Sequence, residues 1–266
     1  MTLVSVVTIS FNQARFLREC IDSIVSQTGV DVQFIVVDAG STDGSREIID
    51  SYGSKLIRIF ESDSGPADGL NKGFAAAEGD IFCFVNSDDR LEPRALARVA
   101  DIFAKSEVDV VSGASRIIDA RGVFKRLVFS DKFHLVAAAY GQCILIQPST
   151  FFSREVFLKS GGFNSTNKGN WDTELFVDMA LAGATFKRVR DVLSAYRIYA
   201  ESITGSRRLL GTLDDKDHSR IFQKILGIAA SDRSHVLWRW FYLRRKILNL
   251  SDTFERMLRG STVKDV

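Results

Sequence analysis

Polar side chains suited to binding a phosphate-bearing ligand or a cation occur at four points early in the chain, each directly after a short apolar run. The four sets are Ser10-Phe11-Asn12, Asp38-Ala39-Gly40-Ser41, Ser62-Asp63-Ser64-Gly65 and Asn86-Ser87-Asp88-Asp89. The carboxylate and amide oxygens of the last set suit a hard divalent cation, Mg²⁺ or Mn²⁺, which takes substrate phosphates and water as its other ligands. Aspartate is also common in turns and caps, so Asp88 and Asp89 have a purely structural alternative.

The sequence lacks the common phosphate-binding and zinc-binding motifs. No G-x-G-x-x-G follows the first apolar run, and no Walker A motif is present, so any phosphate must be held in another way. Cys20, Cys83 and Cys143 lie far apart among apolar residues, which predicts reduced core cysteines. With three histidines in the chain, a metal would be held mainly by oxygen.

The segments that carry these polar sets alternate between strand-like and helix-like patterns. The predicted strands are Val4–Ile9, Val32–Asp38, Lys55–Glu61, Asp80–Asn86 and Asp109–Ser115, and the predicted helices are Ala14–Ser26, Asp43–Tyr52, Leu70–Ala77 and a segment from after Pro93 to Ala104. The strands are continuous β-branched and aromatic runs, as in a parallel sheet covered on both faces. This pattern predicts an α/β fold, with the four polar sets meeting at the carboxyl ends of the strands.

The second half of the body is less regular. The pattern predicts a strand pair around Arg116–Phe129, a strand near Ile144, a helix from about Asn170 to Ala182, and a further strand that rejoins the sheet.

Composition restricts the class of protein. The chain has 266 residues, of which 45% are hydrophobic and 26% charged, so one large domain or a domain with an appendage is expected. Its longest uncharged run, Leu135–Ser153, is interrupted by Gly, Gln and Pro, which predicts no membrane span. MTLVSVVTIS lacks a basic export signal, so a cytoplasmic location is expected.

Charge is unevenly distributed along the chain. Residues 207–266 carry 13 Lys/Arg against 7 Asp/Glu, a net +6, whereas residues 1–206 carry −4. We expect a separate, basic, helical tail that meets an anionic partner, such as a phospholipid surface or a lipid-linked phosphate. Within it, a predicted helix Arg233–Arg259 interleaves Trp and Phe with basic residues, a pattern suited to a membrane interface. The alternatives are a solvated basic helix, or a packing helix that closes the acceptor side or forms a dimer.

Three stretches closely resemble glycosyltransferase family 2: VVTISFNQARFLRECIDSIVSQ, FIVVDAGSTDGS and ESDSGPADGLNKGFAAAEGDIFCFVNSDDRLEP. The resemblance covers about residues 3–204. It implies the GT-A fold, a Rossmann-like, mixed and mainly parallel sheet flanked by helices, and sugar transfer from a nucleotide-sugar with inversion at the anomeric carbon. The implied GT-A domain spans 1–206, with a nucleotide-binding half 1–115 and an acceptor half 116–206, followed by a basic amphipathic helical extension 207–266.

The resemblance also implies donor-site residues. Asp38 would read the base edge, and a carboxylate suits the N3–H of uracil. Lys72 would reach a phosphate, the alternative being a solvated helix lysine. Asp88 would hold the metal, although the first position of the family's Asp-x-Asp is here the amide Asn86. The implied nucleotide-sugar set is Thr8, Ser10, Phe11, Asn12, Asp38, Asp68, Asn71, Lys72, Asn86 and Ser87.

On the acceptor side, Asn170–Gly183 resembles the family stretch DWDLWLRLALAG. This likeness makes Asp172 the implied general base and Glu174 the second choice. A first-turn carboxylate that complements the helix dipole is the alternative for Asp172. The other residues implied near the sugar, acceptor or phosphate are Asp89, Gln147, Pro148, Thr150, Trp171 and Arg197, while Tyr199 stands where many relatives carry a histidine.

The residues and the resemblance together predict a metal-dependent, inverting enzyme that adds a single sugar to a surface-polysaccharide or lipopolysaccharide precursor. Expected partners are a nucleotide-sugar donor, a glycan or lipid-linked acceptor, Mn²⁺ or Mg²⁺, and an anionic membrane surface, but no nucleic acid. No Q-x-x-R-W signature follows Asp172, which disfavours a processive synthase. A non-catalytic nucleotide-sugar-binding module and a nucleotidyltransferase remain as alternatives.

Overall fold

The computed structural model describes residues 2–202 and 213–259, which form a mixed sheet with helices on both faces. Its strands are β1 (Leu3–Ser10), β2 (Asp31–Asp38), β3 (Ile57–Phe60), β4 (Ile81–Phe84), β5 (Arg90–Leu91), β6 (Val110–Ile118), β7 (Phe124–Phe129), β8 (Thr150–Ser153) and β9 (Phe186–Arg197). Its helices are α1 (Ala14–Val25), α2 (Ser45–Asp50), α3 (Pro66–Ala75), α4 (Ala95–Ala104), α5 (Leu135–Ala139), α6 (Arg154–Ser160), α7 (Trp171–Leu181), α8 (Leu213–Leu226), α9 (His235–Leu248) and α10 (Leu250–Arg259).

The strand order confirms the predicted α/β fold. The sheet runs β3-β2-β1-β4-β8-β6-β9-β5, and β7 pairs with β6. The first four strands are mutually parallel, as are β6 and β9, whereas β8 is antiparallel to both β4 and β6. The carboxyl ends of β1 to β4 therefore face the same edge, where their polar sets come together.

The sheet is buried on both faces because neighbouring strand residues point to opposite sides. Val6 packs with α1 and α4, whereas Val7 packs with α3, α6 and α7. Gly73 of α3 lies against Val7 so closely that an added Cβ would clash with it. The absence of a side chain at Gly73 therefore lets α3 approach β1 and fixes the loop that precedes α3 beside the strand ends.

The acceptor half differs from prediction at one strand. The β6–β7 pair and α7 confirm the predicted strand pair and helix, but no strand forms at Ile144. Ile144 lies in a loop that reaches the surface, and β8 begins six residues later at Thr150. Ile144 and Thr150 both lie in the uncharged run Leu135–Ser153, and nothing in the sequence of this run shows at which of the two positions a strand begins.

The C-terminal helices pack on the body, so the expectation of a separate tail is wrong for the described residues. Ile221 and Phe222 of α8 and Phe241 of α9 are buried in one apolar cluster with residues 137–139 of α5 and Val177 of α7. The predicted single helix over 233–259 is also wrong, because Asn249 separates α9 from α10. The domain boundary at 206/207, together with residues 207–212 and 260–266, lies outside the described residues.

Asn249 ends α9 through its side chain. Its Nδ2 donates to the Phe129 carbonyl at 3.0 Å and to Asp131 Oδ1 at 2.7 Å, and Arg245 Nε donates to Asp131 Oδ2 at 2.7 Å. Asn249 is the C-cap residue of α9, where its backbone N–H donates to the Arg245 carbonyl at 2.9 Å, and asparagine is favoured at helix ends. The last two helices are thereby held against the end of β7.

Two smaller expectations can be compared with the structure. Cys20, Cys83 and Cys143 are buried and free, as predicted. Over the ranges 2–202 and 213–259, none of the helices combines the length and apolar character needed to traverse a bilayer.

Candidate active site

A cavity of about 960 Å³ lies at the carboxyl edge of the sheet. All four predicted polar sets contribute to its wall, through Ser10 and Phe11 after β1, Ala39 after β2, Asp63 and Gly65 after β3, and Asn86, Ser87 and Asp88 after β4. The acceptor half supplies the opposite wall, which includes Gln147, Pro148, Gly169, Trp171, Asp172, Arg197 and Tyr199. The structure thus brings Asp88 and Asp172 to one cavity, although 84 positions separate them in the sequence.

Two adjacent carboxylates follow β4. Asp88 lines the cavity, and Tyr199 Oη donates to its Oδ2 at 3.1 Å. Asp89 is buried behind it, where Oδ1 accepts from the Arg197 amide at 2.8 Å and Oδ2 has no hydrogen-bond partner among the described residues. Burial raises the pKa of both carboxyls, and the neighbouring Asp88 charge raises that of Asp89 further. A cation bound beside Asp88 would relieve the electrostatic repulsion between the two carboxylates.

The donor set fits a metal that arrives together with a diphosphate. Within the part of the chain that the structure describes, no three His, Cys, Asp or Glu side chains are grouped to hold an ion on their own. Asp88 offers one carboxylate to the cavity, and Asn86 and Ser87 add neutral oxygens. Mg²⁺ and Mn²⁺ accept one or two carboxylates when substrate phosphates and water complete the shell.

Arg197 holds the turn that carries Asp88. Its guanidinium donates to the carbonyls of Asp88 (2.8 Å), Asp119 (3.2 Å) and Ala120 (3.3 Å) and to Glu19 Oε2 (2.8 Å). With its side chain 1% exposed and its donors engaged, Arg197 positions the metal-side carboxylate. The expected phosphate contact of Arg197 is not supported.

Asp38 is also committed to its own loop. Its Oδ1 accepts from the amides of Gly40 and Ser41 and from Arg46 Nε, and its Oδ2 accepts from Ser41 Oγ, at 2.5–3.0 Å. Burial opposes ionisation, but the bonds from Ser41 and Arg46 outweigh it and lower the pKa of Asp38. Three of these donors share Oδ1 and one uses Oδ2, so the carboxylate anchors its own loop. Asp38 does not line the cavity, and its role in reading the base stays a prediction.

Five more implied donor-site residues stabilise the loops around the cavity and do not line it. Thr8 is buried with its Oγ1 3.9 Å from Cys20 Sγ, and Asn12 Oδ1 accepts from the Thr42 amide at 2.9 Å. Asp68 Oδ2 accepts from the Ser64 amide at 2.9 Å. The ligand contacts expected of these three residues stay predictions.

Asn71 and Lys72 belong to the same group. Asn71 bonds to both the amide and the carbonyl of Phe163, at 2.9 and 2.8 Å. Lys72 donates to the Ser62 carbonyl and lies 3.8 Å from Glu61 and 3.9 Å from Asp68. Lys72 does not line the cavity, and its phosphate contact stays a prediction.

Asp172 is the second residue of α7 and lines the cavity beside Trp171. Its Oδ1 accepts from the Thr173 amide at 2.7 Å, which fixes the carboxyl at the first turn of the helix. Burial raises the pKa of Asp172, and the bonds from Thr173 oppose this only in part. A carboxylate with a raised pKa is a stronger proton acceptor than an exposed aspartate.

Glu174 turns away from the cavity, which argues against its role as second-choice base. Its carboxylate accepts from Asn164, Asn167, Arg220 and Lys224 at 2.7–3.1 Å. Although burial opposes ionisation, these bonds lower the pKa of Glu174 to about 2. Glu174 therefore joins α7 to α8 and is too weak a base for proton abstraction.

Gln147 connects the two halves of the site. Its Nε2 donates to the Phe84 carbonyl at 2.6 Å, and its Oε1 accepts from Asn86 Nδ2 at 3.0 Å. Thr150, by contrast, is buried behind the wall and bonds to Ser112 Oγ at 2.7 Å.

Several cavity residues were not assigned from the sequence. They include Gln13, Arg126, Tyr196, Glu201 and Arg256, together with an apolar group formed by Ile117, Val128, Ile144, Leu145, Ile146 and Ile198. One signal was available for Arg126, since in Phe124–Phe129 it shares the period-two face of the buried Val128. No motif connects Arg126 with Arg256, which is 130 positions away.

Sequence comparison identifies relatives of this chain. Residues 5–161, more than half of the chain, match the profile described as "Glycosyl transferase family 2". An uncharacterized glycosyltransferase of Nostoc sp. is 35% identical over 209 residues, which cover 74% of this chain and 65% of the relative. The chain thus spans about two thirds of the length of that relative.

Structural comparison gives the same fold. Residues 1–349 of S. aureus TarS, in complex with UDP-GlcNAc, superpose with a TM-score of 0.70 at 18% identity, covering 100% of this chain and 78% of that one. The mannosyltransferase PcManGT of Pyrobaculum calidifontis, in complex with GDP-Man and Mn²⁺, gives 0.62 at 22% identity, covering 97% and 76%. These likenesses show the fold and confirm the GT-A prediction.

Proposed function

The chain belongs to glycosyltransferase family 2, and from this premise we propose that it transfers a single sugar, with inversion, from a UDP-sugar to a hydroxyl of a glycan or lipid-linked acceptor. The observation that carries the proposal is the shared cavity: Ser87 and Asp88 lie on its nucleotide side and Asp172 on its acceptor side. The preference for UDP rests on the predicted role of Asp38, and the TarS complex with UDP-GlcNAc supports it. We place the reaction in the synthesis of cell-surface polysaccharide or lipopolysaccharide.

In this proposal Asp88 would hold a divalent metal with help from Asn86 and Ser87. The metal, when bound, neutralises the diphosphate and makes it a better leaving group. Tyr199 keeps Asp88 oriented through its 3.1 Å hydrogen bond. Burial, and then the Asp88 charge, raise the pKa of Tyr199, so its hydroxyl stays protonated and continues to donate.

The reaction is a single displacement. Asp172 accepts the proton of the acceptor hydroxyl while that oxygen attacks the anomeric carbon from the face opposite the diphosphate. The carbon–oxygen bond to the diphosphate breaks, its electron pair leaves with the diphosphate, and the new glycosidic bond has the inverted configuration. Trp171 and Gln147 border this space.

The base assignment predicts the acid limb of the pH profile. Asp172 must be deprotonated to act, so kcat/KM should fall as the pH drops through its pKa. Because burial raises that pKa, the midpoint should lie above the ordinary aspartate value of about 3.9. The measurement is nucleoside diphosphate release against pH, with circular dichroism at each pH to exclude unfolding. A flat profile down to the ordinary aspartate value would contradict the assignment.

A donor panel tests the proposed function. UDP-, GDP- and dTDP-sugars are incubated with the full chain and Mn²⁺ or Mg²⁺, and release of the nucleoside diphosphate is measured with and without chelator. Release from UDP-sugars that stops on chelation supports the proposal. Release from another donor alone would refute the UDP assignment, and absence of release and of donor binding would refute the transferase itself.

A non-catalytic nucleotide-sugar-binding module is the second candidate. It is favoured by Tyr199, which already uses one oxygen of Asp88, and by the neutral Asn86. This alternative predicts saturable donor binding without turnover for every acceptor tested. The nucleotidyltransferase alternative instead predicts pyrophosphate release from a nucleoside triphosphate and a sugar phosphate.

We also propose that α9 and α10 bind an anionic membrane surface, on the inner face of the cell membrane. Val236, Trp240, Leu243 and Ile247 form one helical stripe on α9 with exposures of 54–77%. Leu250, Phe254, Met257 and Leu258 form a second on α10 with exposures of 62–80%. Basic side chains accompany the rings: Arg244 lies 5.7 Å from Trp240 and Lys246 5.4 Å from Tyr242. Apolar stripes with basic and aromatic neighbours favour anionic lipid over a second protein copy.

The membrane proposal predicts co-sedimentation with vesicles. The full chain should sediment with phosphatidylglycerol vesicles, less so at high salt, and Leu243→Glu with Ile247→Glu should reduce the bound fraction severalfold. Leu158→Glu on α6, where the leucine is similarly exposed at 63%, is the matched control and should bind normally. Concentration-dependent dimerisation without vesicle binding would overturn the proposal.

A further inference from the structure

Two arginines lie in the cavity wall away from Asp88. Arg126 of β7 and Arg256 of α10 both line the cavity, beside the apolar Ile117, Val128 and Ile198. The Arg126 side chain is 4% exposed, whereas that of Arg256 is 36% exposed and forms part of the rim. Neither arginine is used in the displacement described above.

Their charges are incompletely neutralised. Arg126 Nη1 lies 3.3 Å from Asp252 Oδ1, and Arg256 Nε lies 2.7 Å from Asp252 Oδ2, so two guanidiniums share one carboxylate. The nearby Glu255 accepts from the Leu127 amide at 3.2 Å and lies 3.5 Å from Arg259. The three arginines of this group thus face two carboxylates, which leaves one positive charge in excess. Burying a cation without a full partner is unfavourable.

Arg126 also has an unused donor. Its Nη1 bonds to the Leu127 carbonyl and Asp252, but its buried Nε has no hydrogen-bond partner in the described structure. Burial, and then the adjacent Arg256 cation, lower the pKa of Arg126. Because two guanidiniums that share one carboxylate stand at the same cavity wall, this part of the cavity favours an anion, and the fork of N–H donors fits an oxyanion.

We infer that Arg126 and Arg256 form an oxyanion subsite for a phosphate or carboxylate carried by the acceptor. The inference rests on the proposed function, because only a transferase has an acceptor. The nucleotide side of the cavity is built from the ends of β1 to β4, whereas these arginines belong to β7 and α10. We therefore assign the arginines to the acceptor and not to the donor. The apolar residues beside them fit a nonpolar part of the same molecule. Arg126 and Arg256 would hold the acceptor by its charge while Asp172 takes the hydroxyl proton.

The test uses phenyl phosphate, which combines an oxyanion with an apolar ring, and the full chain saturated with UDP and Mn²⁺. Calorimetry should show phenyl phosphate and benzoate binding to the UDP-loaded protein, and no binding of the neutral benzyl alcohol. Arg256→Gln should weaken phenyl phosphate about tenfold. Arg126→Lys keeps the positive charge beside Asp252 but loses the forked N–H donors of the guanidinium, so it should also weaken phenyl phosphate binding. The melting temperature of this variant shows whether it is folded.

Arg259→Gln is the matched control, because Arg259 is on the same helix, is paired with Glu255 and does not line the cavity. It should bind phenyl phosphate like the unchanged chain. Equal affinity of Arg256→Gln and the unchanged chain would overturn the inference. Competition between phenyl phosphate and UDP would also overturn it, since the anion would then occupy the donor site.

Two further probes distinguish a phosphate on a lipid from a phosphate on a glycan. Tighter binding of decyl phosphate than of glycerol 3-phosphate, lost in Arg256→Gln, assigns the subsite to a lipid-linked phosphate; the reverse order assigns it to a phosphate on a glycan. Failure of the proposed function is distinguishable, because it shows as absent UDP binding and donor turnover. In that case phenyl phosphate binding to the unliganded chain still tests the two arginines.

Discussion

Asp172→Asn should bind the donor normally but transfer sugar about 10²- to 10⁴-fold more slowly, the usual contribution of a general base. The amide oxygen can still accept from the Thr173 N–H, which bonds to Asp172 Oδ1 at 2.7 Å, so the start of α7 is preserved. What is lost is the ability to take a proton. The measurement is kcat for nucleoside diphosphate release with acceptor present, together with the Kd of UDP.

The matched control is Asp178→Asn, on the same helix. Asp178 bonds to Lys224 at 2.8 Å and does not line the cavity, so its removal should leave kcat within a few-fold. A parallel loss in both variants would indicate disturbance of α7, and an unchanged kcat in Asp172→Asn would remove Asp172 from the mechanism.

Asp88→Asn should abolish the stimulation of turnover by Mn²⁺ and lower kcat/KM by roughly 100-fold or more. The substitution keeps an oxygen for the Tyr199 hydroxyl, which lies 3.1 Å from Asp88 Oδ2, and removes only the charge. The loss should therefore appear in both donor affinity measured with metal and turnover, whereas donor affinity without metal should change little.

The control for this variant is Asp101→Asn, an exposed aspartate of α4 paired with Lys105. Metal titration of donor binding, by calorimetry, separates the effects. An Asp88→Asn protein that keeps the full metal stimulation would show that another group holds the ion.

The early strands could be predicted because their chemistry is local and repetitive. Val4–Ile9 and Val32–Asp38 are mainly β-branched and aromatic, as in a strand that is buried on both faces. The missed strand is different: β8 lies within a long apolar stretch, and pairing with β4 and β6, not composition, selects Thr150–Ser153. The break at Asn249 likewise depends on contacts with Phe129 and Asp131, distant in the sequence.

Site residues were predictable in position more often than in role. Ser10, Asn86, Asp88 and Asp172 do line the cavity. Asp38 carries an equally suitable side chain, yet nearby amides and Arg46 use its acceptor positions. A sequence motif specifies residue type and spacing, but not whether a carboxylate turns toward the ligand or back onto its own turn.

Arg126 and Arg256 illustrate the opposite case, in which a role appears without a motif. Each is ordinary in its own segment, one in a short strand and one in a basic helix. Their proximity follows from the packing of α10 on β7 through Asp252. A site formed by tertiary contacts between distant segments cannot be predicted from the spacing of residues in the sequence.

The anchoring of Asn249 and Arg245 to Asp131 defines which parts of the molecule can be exchanged between homologues. A chimera that takes only its final helices from a relative would leave Asp131 without Asn249 and Arg245, and Arg126 without Arg256. The smallest transferable module is therefore discontinuous, consisting of residues 126–131 and 235–259. Recombination aimed at a new acceptor should place crossovers around both segments, because a single cut at the tail would separate partners that form one structural piece.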